Sequence, residues 1–302
     1  MEAEFTKPPL EVYKPPLDDS LYTMDDEDLD FIKAQSGITD PETLKKHIMA
    51  VQSKAYDLYG HMCIRRFSFT RPKISTFPMY EHVLDLGRKG GLILDLGCCF
   101  GTDIRKCASD GVPVQNLIAS DLRPVFWDLG HELFNTTPET FPVIFLAGDA
   151  LDPNFLQPSA PLSFSSLPPS PPPQLSSSLT SLTPLVGHIS AIHISSLFHL
   201  FFEPQQLQLA RALAGLLSPA PGSVILGAHG GKITKGFNEK GYCSGGHHMF
   251  CHSPESWREM WEGIFAPGTI EVRAELKRRR DGAQVGETGS LVWSVMRLRF
   301  TK

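Results

Sequence analysis

The sequence has no excess of basic residues. Its 302 residues include 28 Lys and Arg against 33 Asp and Glu, and the formal net charge is -5. Proteins that bind DNA or RNA neutralise phosphates with clustered positive charge, so this composition disfavours a nucleic-acid substrate. The hydrophobic share of 41% is enough for a full-size core. A globular enzyme with one large domain is therefore the class we expect.

Long apolar segments are also lacking. The first residues, MEAEFTKPPLEVYKPPLDD, contain neither a basic nor an apolar region of the kind that forms a secretory signal. The most apolar run, from Ile189 to Phe202, is too short to span a membrane and contains His193 and His199. We therefore expect a cytoplasmic protein that does not bind membranes.

Cysteines are few, and their positions do not suit disulfides. There are six, and the adjacent Cys98 and Cys99 cannot close an ordinary disulfide without strain, so we expect reduced thiols. Five Cys and His residues lie close together in a Gly-rich loop: Cys243, His247, His248, Cys251 and His252. Because their spacing matches no familiar zinc pattern, we expect no bound metal.

The distribution of Pro, Ser and apolar residues divides the chain into three parts. Residues 1–38, with paired prolines and an acidic cluster, show little periodicity and are predicted to be a flexible arm. Helix-capping residues and an apolar stripe predict a helical cap near the substrate over residues 39–90. Residues 91–302 are predicted to be the catalytic domain, interrupted at 157–185 by a Pro/Ser-rich insert that we expect to be disordered.

From residue 91 onward, strand patterns alternate with helical or long connections, which is typical of a parallel sheet with crossovers. Seven strands are predicted, at residues 91–96, 116–120, 142–147, 189–195, 223–228, 269–275 and 290–299. The last two strands can pair as an antiparallel hairpin. The predicted fold is therefore a Rossmann-like α/β fold with a seven-stranded, mostly parallel sheet, a C-terminal antiparallel hairpin and an N-terminal helical cap.

The strongest chemical signal is the loop that follows the first predicted strand. The strand ends at Asp95, and the chain then passes through Gly97-Cys98-Cys99-Phe100-Gly101 into a helix. Amide groups at a helix start can hold the carboxylate of a methionine moiety, and Asp95 suits its amino end. A dinucleotide-binding loop has a glycine where Cys99 stands. The loop therefore favours S-adenosylmethionine (SAM) over NAD.

Acidic residues at the ends of the next two predicted strands fit the same cofactor. Asp121 follows Gly101 by 20 residues, and an acid there can accept hydrogen bonds from both ribose hydroxyls. Asp149 ends the third strand, where an acid can accept from an adenine amino group. For Asp149, capping of a helix is an equal alternative.

These stretches resemble the fungal class I SAM-dependent methyltransferases of meroterpenoid pathways, such as those of austinol, andrastin and terretonin biosynthesis. The matching segments are Ser36–Asp40, Leu44–His47, Cys63–Phe67, Leu94–Gly101, Asp103–Lys106, Ala119–Leu122, Ser195–Phe201, and His252 with Ser256, Trp257 and Trp261. The resemblance implies that Asp121 with Leu122, and Asp149 with Ala150, contact the nucleoside of SAM. Ser195 is assigned to the cofactor site as well. The implied activity is methyl esterification of a terpenoid or polyketide-derived carboxylic acid.

Methyl transfer from a sulfonium requires mainly proximity and orientation. A carboxylate acceptor needs only positioning, whereas a phenol or alcohol gains from a general base, for which His199 and His252 are the candidates. Arg65 and Arg66 are candidates to hold an acceptor carboxylate, and Trp257 is a candidate wall of the acceptor pocket. The alternatives are local hydrogen bonding for the histidines, solvated helix charges for the arginines and core packing for the tryptophan.

Two other functions stay open at this stage. One is a methyltransferase that acts on a phenol, a nitrogen, a carbon or a protein side chain, because acceptor choice depends on the least recognisable parts of the chain. The other is a non-catalytic interaction or regulatory protein with a SAM fold. The partner we expect is a small-molecule acceptor, and a homodimer is left open.

Overall fold

The computed structural model describes residues 10–165, 168, 171, 173, 175–176, 178–243, 245–278 and 287–299. The α-helices of this part are α1 (Leu10–Tyr13), α2 (Asp26–Ser36), α3 (Pro41–Leu58), α4 (Met62–Arg65), α5 (Tyr80–Arg88), α6 (Thr102–Ser109), α7 (Pro124–Leu133), α8 (Glu203–Leu216) and α9 (Pro254–Glu262). The strands are β1 (Leu92–Leu96), β2 (Leu117–Asp121), β3 (Ile144–Ala147), β4 (Ile189–His193), β5 (Val224–Lys232), β6 (Gly236–Tyr242), β7 (His248–Cys251), β8 (Ile270–Lys277) and β9 (Thr288–Arg297).

Seven of these strands form one sheet, in the order β3-β2-β1-β4-β5-β9-β8. Strands β1 to β5 pair in parallel, and β9 runs antiparallel to both β5 and β8. The predicted α/β fold, with its mostly parallel seven-stranded sheet and C-terminal antiparallel hairpin, is confirmed. The strand order reverses at β1 and β4, and ligands of open α/β sheets bind beside the strand carboxyl ends at such a point.

Apolar side chains cover both faces of the sheet. On one face, α8 and α9 pack against β4, β5 and β9, and the core there includes the aromatic cluster of Phe198, Trp257, Trp261 and Trp293. On the other face, α5 and α6 pack on β1 and β2. Near-continuous apolar runs in β1 and β4 agree with burial on both sides, as parallel strands require. The ends of these strands are thereby held in fixed register.

A third core joins the N-terminal helices to α7. It includes Ile32 of α2, Leu44 and Ile48 of α3, and Leu133 of α7, all fully buried. Helix α2 differs from the sequence-based expectation of an arm with little regular structure over residues 1–38. Asp25 caps this helix by accepting from the amide of Asp28 at 2.9 Å. The acidic residues of the first turn suit a helix N-terminus. In the sequence they make the short apolar stripe of this helix hard to recognise.

The division into residues 1–38, 39–90 and 91–302 stays a prediction, and residues 1–9 lie outside the described part. So do residues 166–167, 169–170, 172, 174 and 177 of the Pro/Ser-rich insert, so its predicted disorder is likewise untested. The ends of the insert pack on the domain: Leu182 is fully buried, and its amide donates to the carbonyl of Phe155 at 2.9 Å. In the described part of the chain, no helix is long and apolar enough to cross a membrane.

The hairpin of β6 and β7 was not predicted. It follows β5 and pairs antiparallel, with Phe237 opposite Phe250. The glycines of this region obscured the alternation that predicts strands. The hairpin matters because it lies near the carboxyl end of β5 and contributes Tyr242 and Met249 to the wall of a cavity described below.

Candidate active site

The loop between β1 and α6 is built by residues with left-handed backbone. Gly97, Cys99 and Gly101 have φ angles of 73°, 51° and 72°. At Gly101 a side chain is excluded in addition by packing, because a Cβ atom would lie 2.5 Å from the ring of Trp127. The amides of Gly97 and Cys98 donate to the carbonyl of Ser120 at 2.8 and 3.1 Å. The loop is thereby fixed against the end of β2.

Asp95, near the end of β1, begins a buried chain of polar side chains. Its Oδ1 accepts from Nδ1 of His193 at 2.8 Å, and Nε2 of His193 lies 2.8 Å from Oγ of Ser195. The two strands bring these residues together because Asp95 and His193 are register partners in β1 and β4. The second carboxylate oxygen of Asp95, Oδ2, is buried and has no hydrogen-bond partner among the described residues.

Burial and neighbouring charges act on both members of this pair. Burial raises the pKa of Asp95, and the hydrogen bond from His193 only partly offsets this effect. Burial alone would lower the pKa of His193, but the charge of Asp103 and the bond to Asp95 outweigh it and raise that pKa. The protonation states of Asp95 and His193 therefore depend on each other. Such perturbed pKa values are typical of functional sites rather than of solvated surface residues.

A small cavity of about 40 Å³ lies between this pair and the start of α6. Gly97, Cys98, Cys99 and Ser195 are part of its wall, together with Asp95. The predicted cofactor residues on β1, β4 and the glycine loop are thus brought together. They fit the amino-acid end of SAM, because the unpartnered Oδ2 offers an acceptor to an ammonium group and the N-terminus of α6 suits a carboxylate.

The residues predicted for the nucleoside lie next to this loop but line neither cavity described here. Asp121 accepts from the amide of Cys99 through Oδ2 and from the amide of Arg123 through Oδ1, both at 2.9 Å. Burial raises its pKa. The neighbouring Leu122 is 50% exposed.

Asp149 and Ala150 follow β3 beside this point, since the amide of Gly148 donates to the carbonyl of Asp121 at 3.1 Å. The Asp149 carboxylate is exposed, and its Oδ1 accepts from the amide of Leu151 at 2.9 Å. That bond closes a local turn and is not a helix cap, because no helix begins in residues 148–165. Ala150 packs against the core. Contact of Asp149 and Ala150 with the adenine therefore stays a prediction.

A much larger cavity, of about 1230 Å³, adjoins the small one. Its wall comes from the segment before α2, from α4 and the residues after it, from the ends of β4 and β5, and from the β6–β7 and β8–β9 hairpins. Six cationic side chains line it: Arg65, Arg66, Arg71, Lys73, Lys277 and Arg278. Among the described residues, no Asp or Glu does.

The two cavities share Cys63, Ser68, Arg71 and Lys73. The small cavity is lined by five of the predicted cofactor residues, Asp95, Gly97, Cys98, Cys99 and Ser195. The large one is wide enough for a drug-sized ligand. Their common wall is therefore the place where a donor and an acceptor would meet.

Comparison with known proteins agrees with this geometry. The sequence profile described as "Meroterpenoid methyltransferase N-terminal domain" matches residues 13–70. The O-methyltransferase phiE of a fungal species (strain ATCC 74256) is 31% identical over 242 residues, which are 80% of this chain and 72% of phiE. The methyltransferase adrK of Penicillium rubens is 30% identical over 238 residues, 78% of this chain and 74% of adrK.

The chain belongs to the fungal class I SAM-dependent methyltransferases. SAM is its cofactor, as predicted. Among solved structures, the 1,6-didemethyltoxoflavin-N1-methyltransferase of Burkholderia thailandensis is similar with a TM-score of 0.47 at 12% identity, over 87% of this chain and 92% of that chain.

Both predicted arginines, Arg65 and Arg66, line the large cavity. Arg65 is also bound to the N-terminal segment: its Nε donates to the carbonyl of Pro16 at 2.7 Å, and its guanidinium lies 3.8 Å from a carboxylate oxygen of Asp18. Arg66 is exposed and lines the cavity. Binding of an acceptor by these two residues stays a prediction that their position allows.

Of the two histidines predicted to be catalytic, only His199 lines the large cavity. His252 is 2% exposed, and its Nδ1 lies 2.9 Å from Oγ of Ser256. Burial lowers its pKa to about 4. Trp257, predicted to line the acceptor pocket, is fully buried in the aromatic cluster. His252 and Trp257 line neither cavity, and their positions correspond to the structural alternatives considered for them.

Most residues that line the large cavity were not predicted from the sequence, and two of them bear directly on its chemistry. His229 is one: its Nδ1 accepts from Nε1 of Trp293 at 3.0 Å, and its Nε2 is buried with no partner among the described residues. Burial holds its pKa well below the ordinary value, so the ring is neutral. The predicted strand ended at Ala228, whereas β5 continues to Lys232. Lys73 is the other, and it lies in the segment 39–90, which was predicted only to form a helical cap.

One group of side chains has the composition of a metal site. Ligand atoms of Asp95, Asp103 and His193 lie within 4.8 Å of one another. Oδ1 of Asp103 already accepts from the amides of Lys73 and Ile74, at 2.5 and 2.7 Å, and Asp95 is bonded to His193. We therefore assign this group to the hydrogen-bond network of the cofactor site. The expectation that no metal is bound stays a prediction.

Proposed function

We propose that this methyltransferase transfers the methyl group of SAM to a carboxylate oxygen of a small terpenoid or polyketide-derived acid. The observation that carries the proposal is the large cavity with six cationic side chains and, among the described residues, no acidic one. In the reaction the carboxylate oxygen forms a bond to the methyl carbon, the carbon–sulfur bond breaks, and its electron pair returns to sulfur. The products are a methyl ester and S-adenosylhomocysteine.

The charge of the cavity favours an anionic acceptor. Carboxylic acids are ionised near neutral pH, whereas alcohols are not and phenols are only slightly so. Arg65, Arg71 and Lys277 have carboxylate oxygens of Asp18, Asp28 and Glu275 within 4.0 Å, so part of the positive charge is compensated. The other cationic side chains line a cavity in which a neutral acceptor would form no ion pair. Charge-assisted hydrogen bonds to a carboxylate would be the strongest contacts available there.

Three histidines line the cavity, His61, His199 and His229, and the last two are arranged as hydrogen-bond donors. His199 accepts from the amide of Gly230 through Nδ1 at 3.1 Å, and His229 accepts from Trp293 through Nδ1. A neutral imidazole that accepts at Nδ1 carries its proton on Nε2 and cannot remove another proton there. A phenol or alcohol acceptor would gain from a residue that removes its proton as a general base. A carboxylate does not, and it can accept a bond from Nε2.

The names of the relatives support methylation on an oxygen atom of a secondary metabolite. The profile that matches residues 13–70 is described as that of a meroterpenoid methyltransferase, and phiE is named an O-methyltransferase. Methylation on oxygen of a secondary metabolite is therefore the activity we propose for this chain, and the cytoplasm remains the predicted location.

SAM supplies a methyl group already activated by its positive sulfur, so the protein contributes binding, orientation and exclusion of water. In the small cavity, Oδ2 of Asp95 would accept from the ammonium group, and the N-terminus of α6 would attract the methionine carboxylate. Asp121 and Leu122 are the proposed contacts of the nucleoside. His193 keeps Asp95 in place from the neighbouring strand.

The test is a comparison of acceptors. The enzyme is incubated with SAM and a panel of terpenoid and polyketide carboxylic acids, each paired with the matching primary alcohol, and with phenols of similar size. We expect turnover of acids with much higher kcat/KM than of their alcohols. Preferred turnover of alcohols or phenols would contradict the carboxylate proposal. Failure of the intact protein to bind S-adenosylhomocysteine in calorimetry would contradict the assigned cofactor site.

A further inference from the structure

Lys73 lies in the wall that separates the two cavities and borders both. Its Nζ donates to Oγ of Ser196 at 3.4 Å. Ser196 borders the large cavity but not the small one. The ammonium group is therefore on the acceptor side of the shared wall, close to the point where the methyl group would cross.

The charge of this lysine is available to a ligand. In the described part of the chain, no carboxylate oxygen lies within 4.0 Å of its Nζ. The arginine in the same wall differs: Arg71 has Nε 3.4 Å from Oδ2 of Asp28 and donates to Oγ1 of Thr23 at 3.1 Å. An ammonium that is half-buried and has a single hydroxyl partner gains from an anion more than a paired guanidinium does.

The backbone of Lys73 is tied to the cofactor helix. Oδ1 of Asp103, in the first turn of α6, accepts from the amides of Lys73 and Ile74. Oγ1 of Thr76 donates to the carbonyl of Lys73 at 2.7 Å. Helix α6 begins directly after Gly101 of the glycine loop. The lysine and the loop that holds the donor therefore belong to one rigid unit.

We propose that Lys73 binds the acceptor carboxylate and orients one of its oxygens toward the methyl group of SAM. This inference rests on the proposed function. One carboxylate oxygen accepts from the ammonium group, and the other is left to attack the methyl carbon. No proton is transferred, because the acceptor is already ionised. Attachment to α6 fixes the distance between the two substrates, and such fixed proximity is the main contribution a protein can make to this reaction.

The experiment measures binding to the enzyme saturated with S-adenosylhomocysteine. The probes are farnesoic acid, a sesquiterpenoid carboxylate, and farnesol, the matched alcohol, each titrated by calorimetry. The variants are Lys73→Met, which removes the charge at similar length, and Lys73→Arg, which keeps it. Lys89→Met is the control, because its side chain is 77% exposed and lies 3.7 Å from an oxygen of Asp85 on the surface.

We expect the unaltered enzyme and Lys89→Met to bind the acid more tightly than the alcohol. Lys73→Met should weaken binding of the acid by about 10- to 100-fold, the range of a hydrogen bond to a charged group, and leave farnesol unchanged. Lys73→Arg should keep most of the preference. In each variant the affinity for S-adenosylhomocysteine should stay within about twofold, a change much smaller than the loss of a hydrogen bond to a charged group causes. Retained affinity also shows that the variant is folded.

Three results separate the inference from the proposed function. If Lys73→Met retains the preference for the acid, the role of Lys73 is wrong and the carboxylate proposal stands. If Lys73→Met loses affinity for S-adenosylhomocysteine, the lysine belongs to the cofactor site and the inference fails. If the unaltered enzyme does not bind the acid more tightly than the alcohol, the carboxylate proposal fails and the inference fails with it.

Discussion

Asp95 uses its two carboxylate oxygens differently. Oδ1 is bonded to His193, while Oδ2 is buried and unpartnered among the described residues. A buried polar atom without a partner is costly, and its persistence is explained when a ligand supplies the missing group. At the residue scale, this single oxygen is the strongest mark of the cofactor site in the structure.

Asp95→Asn removes the negative charge and keeps the shape of the side chain. We expect affinity for S-adenosylhomocysteine to fall about 10- to 100-fold, because the ammonium group loses a charged acceptor. Calorimetry measures the affinity. Asp152→Asn is the control, since the exposed Asp152 bonds only locally to Asn154. Equal affinities of Asp95→Asn and the unaltered enzyme would remove Asp95 from the cofactor site.

His252 gives a prediction about pH. Burial lowers its pKa to about 4, so between about pH 6.5 and 4 the unfolded chain binds a proton that the folded chain does not. This residue therefore lowers stability as the pH falls through that window. His252→Gln should reduce the acid-side slope of the unfolding free energy by up to about 1.4 kcal/mol per pH unit.

Urea unfolding at several pH values between 4 and 7.5 tests this expectation. The half-buried His188, replaced by Gln, is the control for loss of a histidine. A slope in His252→Gln equal to that of the unaltered enzyme would show that His252 is not held neutral in the fold.

Some residues of the site were predictable and others were not, for a physical reason. Asp95 and Asp121 follow short apolar strands, and the carboxyl ends of parallel strands meet at one edge of a sheet, so local sequence predicts their proximity. The position of His252 depends on how α9 packs against β8 and on its bond to Ser256. No local pattern reports such packing. Lys73 is similar, since Asp103, thirty positions away, holds its backbone.

At the scale of elements, the turn from β1 into α6 is the part that tolerates least change. Gly101→Ala places a Cβ atom 2.5 Å from the ring of Trp127 at a φ of 72°. Left-handed backbone costs a non-glycine residue about 1–2 kcal/mol, and overpacking adds about 1–3 kcal/mol. We expect the unfolding free energy to fall by the sum of both contributions and cofactor affinity to fall with it.

Gly268→Ala is the matched control for this substitution. Its φ is 74°, but no atom lies within 4 Å of the Cβ that would be added. Chemical denaturation of both variants should show a loss of about 1–2 kcal/mol from backbone strain alone for Gly268→Ala, and a clearly larger loss for Gly101→Ala. Equal losses would show that Trp127 moves aside and that the turn is less constrained than its packing indicates.

The elements that the sequence predicted best are those with a long, regular apolar pattern. All seven strands of the sheet were expected near their observed positions, because buried parallel strands are continuous apolar runs. Helix α2 and the β6–β7 hairpin were not expected. In the first, four acidic residues are interspersed with a short apolar stripe, and in the second, glycines interrupt the alternation. Both elements lie in regions where tertiary packing, rather than local propensity, stabilises the structure.

At the scale of the whole molecule, the charge of the large cavity contrasts with that of the chain. The chain has a net charge of -5, yet six cations and no acid line the cavity among the described residues. They come from three stretches of sequence, at 65–66, 71–73 and 277–278. Folding concentrates them at one place, so the composition that argues against nucleic acid is compatible with a strongly cationic acceptor site.

The cationic wall also explains why the acceptor was harder to predict than the cofactor. The cofactor site depends on one loop and on the ends of adjacent strands, and each of these is recognisable from its own short stretch of sequence. The acceptor site combines the N-terminal segment, α4 and two hairpins, and no single stretch identifies it. The segment at Ser20–Thr23, expected to be part of a flexible arm, borders this cavity.

The most direct test of methyl transfer to a carboxylate uses SAM with a deuterated methyl group. The enzyme is incubated with an acid that it turns over, and the purified product is treated with alkali before mass spectrometry. We predict that alkali releases the label as deuterated methanol and regenerates the original acid. Label that stays on the acid after alkaline treatment would place the methyl group on another atom and contradict carboxyl methylation.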